Sequence, residues 1–173
     1  MNLVGKRVNI KIEINNSIER HPVPVLGIDY KVKITYKNIK IAELDIEGKT
    51  IKISLPNKYK KMSNTEILDL AIEKMYEQIA KVEIERAMEK CRIMLGFAPD
   101  EYEIMNMKPL GKCEENKITI NPKIVMYSRR IIDYVVLHQY CHLKYKTHSK
   151  GFMKLIEKYE PEYRKYDELL INI

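Results

Sequence analysis

The 173-residue sequence contains no apolar stretch that approaches the roughly 18 residues of a membrane-spanning helix. Its first 25 residues alternate apolar and polar side chains, and they lack the continuous apolar block of a signal peptide. A chain of this length suits one domain with a sizeable core. We therefore expect a soluble protein of the cytoplasm that has no membrane partner.

Cysteine is scarce, because Cys91, Cys113 and Cys141 are the only three, and no two of them form a C-x-x-C pair. Such a set does not resemble a disulfide framework. Cys141 lies within a histidine-rich stretch, so a zinc–thiolate site is one alternative. On a helix, however, position 141 projects about 100° from position 142 and about 60° from position 138. This geometry favours buried packing for Cys141 over a ligand role.

Carboxylates are fewer than basic side chains, and the formal net charge is +7. Lysines cluster at residues 58–61 and 144–154. This excess suits an anionic partner such as nucleic acid or a nucleotide. No aromatic-interleaved binding motif accompanies the charge. We therefore favour a solvated, lysine-rich surface and keep nucleic acid as an alternative partner.

The N-terminal third shows period-two alternation interrupted by turn residues. This pattern predicts antiparallel hairpins, with turns at Lys37-Asn38 and Glu47-Gly48. The segments concerned are VNIKIEI (8–14), YKVKITY (30–36), KNIKIAEL (37–44) and DIEGKTIKISL (45–55).

Helical spacing begins at the sequence SNTE, in which Ser63 and Glu66 have the spacing of a capping box. Apolar residues then recur at helical intervals until Gly96 and Pro99, which predicts one long helix. After Pro99 the sequence predicts a strand at 102–108, a loop at 109–116 and a strand at 117–122. Two helices are then expected to begin near Ser128 and Ser149, and a last helix is expected to end near Leu170. The fold class expected from this order is α+β.

Three of the four histidines, His138, His142 and His148, fall within eleven residues. Residues four apart on a helix share one face, so His138 and His142 can present their rings to one ion. His148 follows the expected helix end, from where the chain can return a third ligand. Three histidines with one open position are typical of a catalytic zinc rather than a closed structural one. The spacing therefore predicts a Zn²⁺ site.

Gln139 follows the first of these histidines. In H-E-x-x-H hydrolases the residue there is a glutamate, which takes a proton from the attacking water and passes it on. A glutamine amide can hydrogen-bond that water but cannot accept its proton. General-base assistance contributes about 10²- to 10⁴-fold, so we expect a bound metal with little or no hydrolysis. If hydrolysis persisted, Glu114 or Glu115 would be the expected substitutes for the base.

Four blocks of the C-terminal half resemble the YgjP-like metallopeptidase family, which is related to the SprT-like and WLM zinc peptidases. That family carries W-G-S-C, N-x-x-L, H-E-L-x-H-L and H-S-x-x-F-W in this order. The corresponding blocks are LGKC (110–113), INPKI (120–124), DYVVLHQYCHL (133–143) and HSKGF (148–152), at the same spacing. The resemblance covers roughly residues 27–170.

The resemblance implies a zincin-like fold with an antiparallel sheet, a long helix and an active helix that presents H-x-x-x-H to a cleft. It implies an N-terminal extension at residues 1–26 and a metallopeptidase domain at 27–173. It makes the three histidines the zinc ligands and Gln139 the degenerate base position, with a peptide or protein as substrate. It also places three retained residues around the ligands or in the substrate wall, namely Gly111, Cys113 and Asn121.

The sequence departs from the family pattern at Leu110, Lys112, Gln139 and Met153, where the family has Trp, Ser, Glu and Trp, and it contains no Trp. Retained ligands with a lost base indicate a pseudoenzyme. Engineered inactivation would explain Gln139 alone, whereas the other three changes favour natural degeneration. The alternatives are a non-catalytic module that binds metal or nucleic acid, and a structural domain without metal.

Overall fold

In the described part of the chain, the first sheet contains four strands in the order β1-β2-β4-β3. The computed structural model describes residues 22–171, so the predicted strand at 8–14 lies outside the described residues. The strands are β1 (Val23–Val25), β2 (Ile28–Lys37), β3 (Glu43–Glu47) and β4 (Thr50–Pro56). Residues 23–25 of the expected N-terminal extension thus belong to this sheet.

Two tight hairpins and one parallel pair build this sheet. Leu26 and Gly27 both have positive φ and connect β1 to its antiparallel partner β2. The hairpin predicted at Glu47-Gly48 is confirmed, since β3 and β4 pair antiparallel across it. The hairpin predicted at Lys37-Asn38 is wrong, because β2 pairs with β4 in parallel. The sheet is therefore mixed rather than wholly antiparallel.

The burial of β4 explains this order. Ile51, Ile53 and Leu55 of β4 are buried in the core, whereas all of β3 is exposed. A strand with a buried face is stabilised between two neighbours, while a strand that carries acidic side chains is tolerated at an edge. β4 consequently lies between β2 and β3, and β2 and β3 do not meet.

The long predicted helix is confirmed as α1 (Asn64–Leu95). The Ser63 Oγ accepts a hydrogen bond from the Glu66 backbone N–H at 3.3 Å, and the Glu66 carboxylate accepts one from the Ser63 N–H, also at 3.3 Å. Gly96 ends the helix with a left-handed φ of 76°. Both ends therefore follow from local capping chemistry.

A second, three-stranded sheet follows α1, in the order β5-β7-β6. Its strands are β5 (Glu101–Ile104), β6 (Gly111–Glu114) and β7 (Lys117–Ile120). β6 lies within the segment predicted as a loop, so that prediction is wrong. Glu115 and Asn116 adopt positive φ and let the chain turn directly from β6 into an antiparallel pairing with β7. β5 and β7 pair in parallel.

The last three predicted helices are confirmed as α2 (Arg129–Lys144), α3 (Lys150–Tyr159) and α4 (Tyr163–Ile171). Ser128 and Ser149 precede α2 and α3 as their N-caps, as predicted. With two sheets and four α-helices in the described part of the chain, the α+β class is confirmed. Within residues 22–171, no helix has the length and apolar character needed to cross a bilayer.

Ionic contacts hold α2 against α1. Arg129 donates to the Glu83 carboxylate at 2.6 Å, and Arg86 donates to Asp133 at 2.6 Å. Glu83 is only 5% exposed although it is charged. Both helices also contribute fully buried residues to the same apolar core, namely Ala80, Ile84, Ile132 and Val136. This interface fixes the position of the helix that carries the first two histidines of the predicted site.

Candidate metal centre

The three histidines predicted as ligands converge on one point. The Nε2 atoms of His138 and His148 are 3.0 Å apart, those of His142 and His138 are 3.2 Å apart, and those of His148 and His142 are 3.1 Å apart. α2 supplies His138 and His142 from one face, and His148 follows in the turn before α3. The turn thus returns the third imidazole to the helix face, as the spacing indicated.

These distances fit a metal site. Ligand nitrogens about 2.0–2.1 Å from a tetrahedral ion lie about 3.3 Å from one another, close to the three separations found here. Among the described residues, this is the group of histidine, cysteine and acidic side chains whose ligand atoms could share one ion. The donor set is therefore three nitrogens on one side of an open position.

Hydrogen bonding orients the ring of His142 for this purpose. Its Nδ1 lies 3.1 Å from the backbone carbonyl oxygen of Tyr145. A carbonyl can only accept, so Nδ1 carries the proton and Nε2 keeps its lone pair. The lone pair then points towards the other two imidazoles, as a metal ligand requires.

Burial keeps His138 and His142 neutral. Desolvation, with smaller contributions from His142 and His148, lowers the pKa of His138 to about 3. Desolvation also lowers the pKa of His142. Because only the neutral imidazole can coordinate a metal ion, both rings are in the ligand form at neutral pH.

Phe152 of α3 packs against all three imidazoles. Its ring centroid lies 5.0 Å from that of His138, 4.7 Å from that of His142 and 4.6 Å from that of His148. Phe152 is 1% exposed. It therefore forms an apolar floor that limits the motion of the rings and excludes water from one side of the cluster.

A cleft of about 720 Å³ opens beside the cluster. His138 and His148 line it together with Gln139, Leu110 and Met153. Three of the positions at which the sequence departs from the family pattern therefore lie on one surface, at the histidines. These three departures thus concern the walls of this cleft, whereas Lys112 pairs with Glu114 at 2.8 Å outside the cleft lining.

Gln139 is 7% exposed and lies between the helix and the second sheet. A Cβ built on Gly111 would meet its Cγ and Nε2 at 3.0 Å. Gly111 therefore lies directly over the side chain at the base position. The helix turn that bears His138 and His142 also brings the Gln139 amide to the same cleft.

The other predicted residues lie in different places. Cys113 is on β6, two residues after Gly111, and burial raises the pKa of its thiol. Asn121 lies outside the cleft lining, where its side chain donates to the Met107 carbonyl and accepts from the Lys123 N–H at 2.9 Å. Asn121 thereby braces the loop between β5 and β6, which forms one wall of the cleft.

Cys141 is fully buried and does not join the histidine cluster, as expected.

Neither Glu114 nor Glu115 lines the cleft, so the structure does not favour the expected substitute bases. Glu114 instead pairs with Lys112 at 2.8 Å on the exposed side of β6. Among the described residues that line the cleft, the one carboxylate belongs to Asp167 of α4. Sequence reasoning missed Asp167, because only the packing of α4 brings it to the histidines.

Comparison with known proteins gives one family, and two of the similar solved structures are metallopeptidase zymogens. The sequence matches the family described as YgjP-like, metallopeptidase domain, over residues 5–172. No curated protein gives a significant match. The metallopeptidase zymogen of Pyrococcus abyssi abylysin is 22% identical, with a TM-score of 0.47, over 52% of this chain and 94% of that chain. The zymogen of Methanocaldococcus jannaschii jannalysin is 16% identical, with a TM-score of 0.45, over 52% and 88% of the two chains. Because the family match spans nearly all of the sequence, the chain belongs to the YgjP-like metallopeptidase family.

Proposed function

We propose that the chain is a zinc-binding member of this family in which hydrolysis is impaired. The observation that carries the proposal is the triangle of three Nε2 atoms, 3.0–3.2 Å apart. Imidazole nitrogens suit zinc, whereas magnesium and calcium prefer oxygen ligands. His138, His142 and His148 would hold the ion, and the cleft would give a substrate access to it.

The impairment follows from the chemistry of residue 139. Zinc in such a site supplies a Lewis acid for the substrate carbonyl and lowers the pKa of a water molecule. The Gln139 amide can hold a water by hydrogen bonding, but it has no basic lone pair to take the proton. It also has no acidic proton for the leaving amine. Binding and orientation therefore persist at this site, while proton transfer fails.

The edge of the second sheet supports a peptide as the substrate class. β6 lies at one side of the described sheet, with β7 as its neighbour. The Leu110 carbonyl accepts from the Asn121 N–H at 2.9 Å, and backbone groups along an antiparallel pair alternate in direction. The N–H and C=O groups of Gly111 and Cys113 therefore point away from β7. An extended peptide can pair with such a free edge, beside the histidines.

Metal analysis of protein purified without a histidine tag tests the site. We expect about one zinc per chain after loading and dialysis, and no turnover of casein, short peptides or nucleoside triphosphates. A chain that retains no zinc would contradict the ligand set. Clear zinc-dependent turnover would contradict the impairment but not the ligands. A salt-dependent shift with DNA or RNA, with no turnover, would favour the alternative of a nucleic-acid-binding module.

A further inference from the structure

The C-terminal helix contacts the candidate metal centre through one tyrosine. Tyr134 of α2 is 1% exposed, and its hydroxyl group donates to the Asp167 carboxylate of α4. The same hydroxyl oxygen lies 3.4 Å from Nδ1 of His138, one helical turn further on. Tyr166 packs on the Tyr134 ring, with centroids 5.2 Å apart. Asp167, Tyr134 and His138 thus form a continuous chain of polar contacts.

The hydrogen positions in this chain follow from the donor inventory. A tyrosine hydroxyl has one hydrogen, and a carboxylate can only accept. The hydrogen of Tyr134 therefore points to Asp167, and the Tyr134 oxygen presents a lone pair to His138. Nδ1 of His138 must then carry the proton for the contact to be attractive, which leaves the lone pair on Nε2. This is the nitrogen that faces His142 and His148.

We propose that Asp167 and Tyr134 are positioning residues that hold His138 in its metal-binding tautomer and orientation. The inference rests on the proposed function for its consequence in metal binding, but the tautomer itself is a property of the metal-free chain. His142 obtains the same tautomer from the Tyr145 carbonyl. His138 lies inside a regular helix, where backbone carbonyls are occupied, so its partner must be a side chain. α4 supplies the group that polarises this partner.

Zinc affinity, measured by competition with a chromophoric chelator, tests the proposal. Tyr134→Phe removes the hydroxyl and keeps the ring, and it should weaken zinc binding about 10- to 100-fold. Asp167→Ala frees the Tyr134 hydrogen to turn towards Nδ1, which favours the wrong tautomer, so a similar loss is expected. The double variant should be no weaker than Tyr134→Phe, because both changes break one chain. Tyr166→Phe is the matched control and should bind zinc as the wild type does.

Nitrogen-15 NMR of the imidazole rings in the metal-free protein measures the tautomer of His138 directly. If Tyr134 and Asp167 had a merely structural role, their substitution would leave this tautomer unchanged. The wild type should show His138 protonated at Nδ1, and both Tyr134→Phe and Asp167→Ala should shift it towards the Nε2-protonated form. Unchanged tautomer in both variants, or unchanged zinc affinity in a folded Tyr134→Phe, would overturn the inference. A wild type that binds no zinc would instead overturn the proposed function, while the tautomer measurement still decides the role of this pair.

Discussion

Gly111 of β6 lies directly over Gln139 of α2, so closely that a Cβ at residue 111 would come within 3.0 Å of the glutamine Cγ. The contact joins β6, the edge strand of the second sheet as described, to the helix that carries His138 and His142. Glycine leaves the space through which a side chain at residue 139 reaches the cleft. A larger residue would push that side chain away from its place beside the histidines.

Gly111→Ala should therefore destabilise the protein modestly and displace Gln139. Overpacking of a well-filled site costs about 1–3 kcal/mol, and we expect the lower end because the nearest atoms belong to a flexible side chain. Chemical denaturation measures the change. Lys112→Ala, at the exposed neighbouring position, is the control and should leave stability nearly unchanged. Equal stability of Gly111→Ala and wild type would show that the contact is looser than described.

The parts of the fold that were predicted correctly depend on local chemistry. Ser63 and Gly96 mark the ends of α1 through hydrogen bonds and dihedral angles that involve only adjacent turns. The wrong predictions concern strand partners. Lys37-Asn38 resembles a hairpin turn, but the buried face of β4 decides which strands pair. β6 was missed because a four-residue strand with a glycine has little apolar pattern, and only its pairing with β7 defines it.

The convergence of the histidines was predictable because helical spacing places His138 and His142 on one face. Tyr134 lies one turn before His138 and could have been found by the same spacing. The carbonyl of Tyr145 could not, since a backbone acceptor leaves no mark in the sequence. Asp167 also could not, because its position depends on how α4 packs against α2. The groups that contact the three histidines are thus less visible in the sequence than the histidines themselves.

Glu83→Gln should loosen the contact between α1 and α2. The hydrogen bond from Arg129, with a further one from Arg86, lowers the pKa of Glu83. Its stabilising contribution is therefore present above the ordinary glutamate pKa and is lost as pH falls through the lowered value. We expect a loss of about 1–2 kcal/mol at pH 7, since Arg129 is itself largely exposed.

Urea denaturation at pH 7 and at pH 3 checks both the size and the pH dependence of this effect. The difference between Glu83→Gln and wild type should shrink at the lower pH. Glu89→Gln removes an exposed carboxylate that pairs with Arg92 on the same helix, and it should change stability much less. A difference that stays constant with pH would show that the charge of Glu83 is not what stabilises the interface.

His142→Ala should abolish tight zinc binding, because it removes one of three converging nitrogens. Cys141→Ala, one residue earlier, should retain the metal, since Cys141 is fully buried and burial raises the pKa of its thiol to about 12. Elemental analysis of the two variants, purified in parallel, measures this contrast. An X-ray absorption spectrum of the zinc-loaded wild type should lack the sulfur scatterer at about 2.3 Å that a thiolate ligand would give. Zinc content that is unchanged by His142→Ala would contradict the proposed ligands.

Gln139→Glu is the single change most expected to create peptidase activity. Glutamate has nearly the volume of glutamine, so it fits beneath Gly111 without the clash that a bulkier residue would meet. Its carboxylate can take the proton of the attacking water and deliver it to the leaving amine, which the amide cannot do. General-base assistance of this kind contributes about 10²- to 10⁴-fold. Initial rates on casein and short peptides, with zinc-loaded wild type alongside, measure the gain.

The gain should lie towards the lower end of that range, because Leu110 and Met153 line the same cleft where the family pattern has tryptophan. These smaller side chains hold a substrate less firmly than tryptophan would, so a restored base would act on a poorly positioned peptide bond. The double variant Gln139→Glu, His142→Ala is the control, and it should show no activity since it lacks a ligand. If Gln139→Glu stays inactive while it binds zinc normally, the walls of the cleft, rather than the missing carboxylate, are the main defect.

Activity in the wild type would instead direct attention to Asp167, the carboxylate that lines the cleft among the described residues. Asp167→Ala would then reduce turnover even at saturating zinc. If Asp167 only positioned His138, saturating zinc would offset the loss.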